Sequence, residues 1–159
     1  MNQQPSPPIP PIRLIGIGNE FRSDDAVGLY VARQLKQRTD GVLDIVEATG
    51  EGIDLLELWE GAEKVLLVDA VCSKAKPGTI YRFDTRKQSI PDNLFSCSTH
   101  HFGVAQAIEM ARVLQRLPAR LIVYGIEGKT FTAGIQLSPE VKVAAETVIL
   151  QVMKEIKYM

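Results

Sequence analysis

The stretch IRLIGIGNEFRSDDAVG, residues 12–28, changes its apolar period partway along, and that change sets the fold. Ile12 to Ile17 is a short apolar run closed by glycines, which suits a strand buried on both faces. From Asp25 onward Val27, Val31 and Leu35 recur at helical spacing, with Arg33, Lys36 and Gln37 left for water. Ser23 or Asp24 is placed to cap that helix. A strand that turns through glycines into a helix is the opening of an α/β unit.

The alternation continues outward from this unit. VLDIVEA (residues 42–48) alternates like a strand, GIDLLELWEG (52–61) reads as a short helix, and KVLLVDA (64–70) is again a continuous apolar strand. TIYRF (79–83) follows a Pro-Gly turn, and its Tyr81 and Arg82 suit a partly wet strand at or near a sheet edge. A long polar loop, DTRKQSIPDNLFSCST, leads to a helix from Phe102 that turns Val104, Ile108 and Ala111 inward and ends before Pro118. RLIVYGI (120–126) is the last buried strand. The final helix begins at Ser138 and Pro139 and buries Val141, Ala145, Val148, Val152 and Ile156. These elements predict a single α/β domain over residues 12–159, with a twisted, mainly parallel sheet of about five strands and helices on both faces. Residues 1–11, rich in proline, are expected to form a flexible tail.

Composition narrows the function. A length of 159 residues with 45% hydrophobic content fits one compact domain. A formal net charge of -1 provides no attraction to nucleic acid or to a membrane surface. No apolar run approaches the roughly 20 residues of a spanning helix, and no signal peptide is read at the start. A soluble, cytoplasmic monomer is expected. Cys72 and Cys97 are read as free thiols in a reducing compartment, with Cys72 packed as a small apolar side chain.

In an open α/β sheet, ligands bind beyond the carboxyl ends of the strands. Three segments meet that description: the loop from Asn19 to Asp25, the strand end at Asp69, and the STHH run of residues 98–101. The Gly16-Ile17-Gly18 start is that of a dinucleotide fingerprint, but Phe21 stands where the third glycine is needed. Asp24 and Asp25 would repel a phosphate at the helix start. Glu47 is spaced like a ribose-binding acid and keeps the nucleotide reading open. Asp69, at the end of a buried strand, needs either a capping role at the Ala70–Ser73 amides or a cation. Asp25, Asp69 and His100 together supply two carboxylates and an imidazole, a donor set suited to zinc, nickel or iron with a position left for water or substrate. Cys97 and His100 form a competing thiol and imidazole pair, although nothing near Cys97 besides the histidines would lower its pKa.

Four segments, GIGNEFRSDDAVG, VLLVDAV, STHHFGVAQAIEMAR and VYGIEG, resemble in the same order the nickel-iron hydrogenase maturation endopeptidases, and the likeness covers nearly the whole chain after the tail. The resemblance implies an aspartic-type endopeptidase with a mainly parallel central sheet. Such an enzyme removes a carboxyl-terminal extension from the hydrogenase large-subunit precursor after nickel insertion. It assigns metal recognition and catalysis to Asp25, Asp69 and His100, with the nickel supplied by the substrate; zinc or another divalent ion is the alternative. It places Asn19, Glu47 and Glu127 near the substrate. This chain departs from the family in reading EATGEG after the second strand, where many members have an acid followed by Gly-Gly-Thr. Two other classes stay open: a non-enzymatic nickel scaffold or chaperone using the same ligands, and a nucleotide-binding oxidoreductase. A peptidyl-tRNA hydrolase shares the Gly-x-Gly-Asn opening but has an early histidine and a basic surface, and neither is found here.

Overall fold

The computed structural model describes residues 11–95 and 102–159. The expected tail therefore lies outside the described residues except for Pro11. Five strands form one sheet: β1 (Ile12–Ile17), β2 (Leu43–Ala48), β3 (Lys64–Val71), β4 (Ile80–Asp84) and β5 (Arg120–Glu127). Their spatial order is β2-β1-β3-β5-β4. All pairings are parallel except β4 against β5, so the wet-faced TIYRF run is an antiparallel edge strand.

The helices are α1 (Val27–Arg38), α2 (Gly52–Leu58), α3 (Val104–Val113) and α4 (Pro139–Glu155). Alternating side chains of the strands feed two apolar layers. Leu14, Leu66 and Ile122 pack with α1 and α4; Ile15, Leu67 and Val123 pack on the other face with α2 and α3. The continuous apolar runs are explained by this double burial. At the open edge Glu155 of α4 accepts hydrogen bonds from Arg82 of β4 and Tyr124 of β5. Burial pushes the Glu155 carboxyl up, but those two donors outweigh it and hold the group below its usual range.

Close packing explains the glycines of the opening stretch. A Cβ on Gly28 would lie 2.2 Å from the Ile17 carbonyl oxygen and 2.4 Å from that of Val68, and one on Gly18 would lie 2.2 Å from that of Asp25. They let α1 lie directly on β1 and β3.

Four local expectations change. The first helix begins at Val27, not Asp25, because residues Ser23–Ala26 form a 3-10 turn before it. Neither Ser23 nor Asp24 caps α1; the carboxylate of Asp24 is directed to the segment before α4 instead. Ile156 falls just beyond α4 and is only partly buried. Cys72 is exposed, since β3 ends at Val71 and the next residue has left the sheet.

Candidate functional site

Asp25 and Asp69 reach one small pocket at the carboxyl end of the sheet, which they line with Gly18, Gly50, Phe95 and Gly103. The 3-10 turn carries Asp25 inward, and Asp69 lies in β3 beyond the last residue paired with β1. Both are buried, at 7% and 8% exposure. The Asp69 carboxyl is raised well above the usual carboxylate range, first by its burial and then by the charge of Asp25, with the Ala70 N–H acting the other way. That N–H donates to Asp69 Oδ1 at 2.8 Å. Burying two like charges side by side is costly, and such a pair suits a shared proton or a cation. The donor chemistry suits a divalent ion. Arg22 lies at the outer side of the pair, its guanidinium 3.8 Å from Asp25 Oδ2.

Asp24 has a different task from its neighbour. It is fully buried. Its Oδ2 accepts the N–H groups of Lys129 and Thr130, each at 2.9 Å, and the Ser138 hydroxyl at 2.7 Å; its Oδ1 accepts the Ser138 N–H at 2.7 Å. The helix-entry amides are also occupied: those of Ser23, Asp24 and Asp25 donate to the carbonyls of Gly134, Thr130 and Arg22. A phosphate needs such amides free, so this turn is not a phosphate cradle.

The remaining candidates separate by position. His100, His101 and Cys97 lie outside the described residues. Among the described residues no third acid, histidine or cysteine joins Asp25 and Asp69 in a metal-sized group. Phe95, before that stretch, and Gly103, after it, both line the pocket. Asn19 is exposed on the pocket-side loop, where its Oδ1 accepts the Phe21 N–H at 3.0 Å and shapes the turn. Glu47 is not brought into the pocket. Its side chain is exposed and accepts a bond from Arg33 Nε of α1 at 2.7 Å, while nearby Thr49 and Gly50 line the pocket in its place. Glu127 is buried at 2% exposure, which removes the surface alternative, and it accepts bonds from Ser73. Phe95 carried no local signal in the sequence, because it reaches the pocket from within a long loop, whereas Thr49 and Ser73 closely follow the ends of β2 and β3.

Comparison with known proteins agrees with this architecture. The family model described as hydrogenase maturation protease matches residues 29–155. The hydrogenase 2 maturation protease of Escherichia coli K12 is 26% identical over 151 residues, covering 92% of this chain and 90% of its own. Protein FrxA of Pyrococcus furiosus is 32% identical over 140 residues, covering 83% of this chain and 97% of its own. Among solved structures, the hydrogenase maturating endopeptidase HybD from E. coli superposes with a TM-score of 0.74 at 22% identity, covering 92% of each chain. No helix among the described residues is long and apolar enough to cross a membrane.

Proposed function

This chain belongs to the hydrogenase maturation protease family, and from that premise we propose that it is the endopeptidase that removes the carboxyl-terminal extension of a nickel-iron hydrogenase large-subunit precursor after nickel insertion. One observation carries the reading. Two acids from distant elements, Asp25 and Asp69, are buried together at the ligand-binding end of the sheet, and the charge of one raises the pKa of the other. Such a pair is costly alone and favourable around a cation.

The nickel is part of the substrate. Asp25 approaches it from the 3-10 turn and Asp69 from the end of β3, and His100, three residues before the pocket-lining Gly103, completes the set. Recognition of the metal brings the scissile bond to the same pocket, so a precursor without nickel lacks the anchor that orients it. Asn19 stands on the rim where the precursor enters.

Incubation with nickel-containing and nickel-free precursor, followed by mass measurement, tests this. Loss of the extension from the nickel form alone is the expected result. Cleavage of both forms would favour an ion resident in the enzyme, and cleavage of neither, with nickel bound, would favour the scaffold reading.

A further inference from the structure

Glu127 is a buried carboxylate that the acid pair does not use. It ends β5 at 2% exposure, where an uncompensated charge would be costly. Ser73 supplies compensation: its N–H donates to Oε1 at 2.9 Å and its hydroxyl to Oε2 at 2.8 Å. Ser73 Oγ also lies 3.0 Å from Tyr81 Oη. A hydroxyl has one proton, and that of Ser73 goes to the carboxylate, so Tyr81 must donate in the second bond. The relay therefore runs from Tyr81 to Ser73 to Glu127. It leaves acceptor lone pairs on the two hydroxyl oxygens, made stronger by the carboxylate behind them.

Register places this relay beside the acids. Asp69 pairs with Gly125 and Val71 with Glu127, while Gly125 pairs with Tyr81 on its other side. Alternation puts Asp69, Val71 and Glu127 on one face of the sheet, the face on which Tyr81 also packs. Gly125 lies between, and a Cβ there would come within 3.3 Å of Phe95, the ring that also lines the acid pocket. Two strand spacings of about 4.8 Å separate Asp69 from Tyr81, roughly the span of three residues of extended peptide.

We propose that Ser73 and Tyr81 form a second binding point for the segment being cut, accepting hydrogen bonds from precursor N–H groups about three residues from the scissile bond. Glu127 is a positioning residue that acts through Ser73 and does not touch the substrate. The proposal rests on the proteolytic reading above.

The test combines steady-state cleavage of nickel-loaded precursor with calorimetric binding of that precursor to S73A, Y81F and E127Q. S73A and Y81F are expected to raise KM and Kd about three- to tenfold, the loss of a hydrogen bond or two, with kcat within about twofold of wild type. E127Q should raise KM in the wild-type background and add nothing in the S73A background, which a merely structural tie would not reproduce. Melting temperatures check the fold, and S73A and Y81F, which leave the buried carboxylate in place, decide the matter if E127Q is unstable. Unchanged KM and Kd in both hydroxyl variants would overturn the proposal, as would a loss confined to kcat. If wild-type protein binds the precursor without cutting it, the proteolytic reading fails separately, and the Kd values still decide the binding point.

Discussion

Asp24 and Ser138 are joined twice, the Ser138 N–H to Oδ1 and its hydroxyl to Oδ2, both at 2.7 Å. Ser138 is the N-cap residue of α4, yet its hydroxyl donates outward instead of accepting from the helix. The buried carboxylate thus ties the start of α4 to the turn that carries Asp25. Asp24→Ala would leave the donors of Lys129, Thr130 and Ser138 without this acceptor, and a loss of about 2–4 kcal/mol is expected in urea denaturation. Asp24→Asn should lose less, since one acceptor oxygen survives. An alanine variant as stable as wild type would contradict this role.

Asp69 should behave in the opposite way. Its folded pKa is raised, so the folded state holds a proton that the unfolded chain releases near the ordinary carboxylate value of about 4. The stability of the wild type should therefore be fullest below that value and fall as pH rises through the raised pKa. Asp69→Asn removes the buried charge, so its melting temperature at neutral pH should exceed that of wild type and lack this slope. Melting curves between acid and neutral pH check both points. A variant less stable than wild type at neutral pH would show that the pair is not electrostatically strained.

Adjacent acids with different tasks mark the limit of what the sequence reveals. Strand and helix periods announced the α/β sheet and its wet edge, because burial on two faces leaves a continuous apolar run and an edge does not; the antiparallel direction of that edge strand came from the structure alone. The meeting of Asp25 with Asp69 followed from the rule that strand ends gather ligands. The division of labour between Asp24 and Asp25 was not readable, since the partners of Asp24 lie more than a hundred positions away, at Lys129, Thr130 and Ser138. Glu47 occupies the position expected from its spacing, but strand alternation directs its side chain toward Arg33 on the α1 face. Glu127 is a strand-end acid as read, but that it is covered shows only in its burial and in the Ser73 donors that reach it.

Gly28 offers a test of the close helix-to-sheet contact on which the acid turn depends. A methyl group there meets two backbone carbonyl oxygens, at 2.2 Å and 2.4 Å, and backbone atoms give way less easily than side chains. Gly28→Ala is expected to cost about 3 kcal/mol, at the upper end for overpacking, measured by chemical denaturation. A neutral substitution would mean that α1 does not rest directly on β1 and β3.

Metal removal separates substrate nickel from a resident ion. Enzyme stripped with a chelator and then freed of it should process nickel-loaded precursor within about twofold of the untreated rate, because in the proposed reading the metal arrives with the substrate. Loss of activity that is restored by adding zinc or nickel to the enzyme would contradict that account.

The central claim is that Asp25, Asp69 and His100 act together on the nickel-bearing precursor. Its most direct test is the mass of that precursor after incubation with wild type, Asp25→Asn, Asp69→Asn and His100→Ala, each shown to be folded. Wild type should release the carboxyl-terminal extension and all three variants should leave the precursor at full length. Complete processing by any one of them would contradict the assignment.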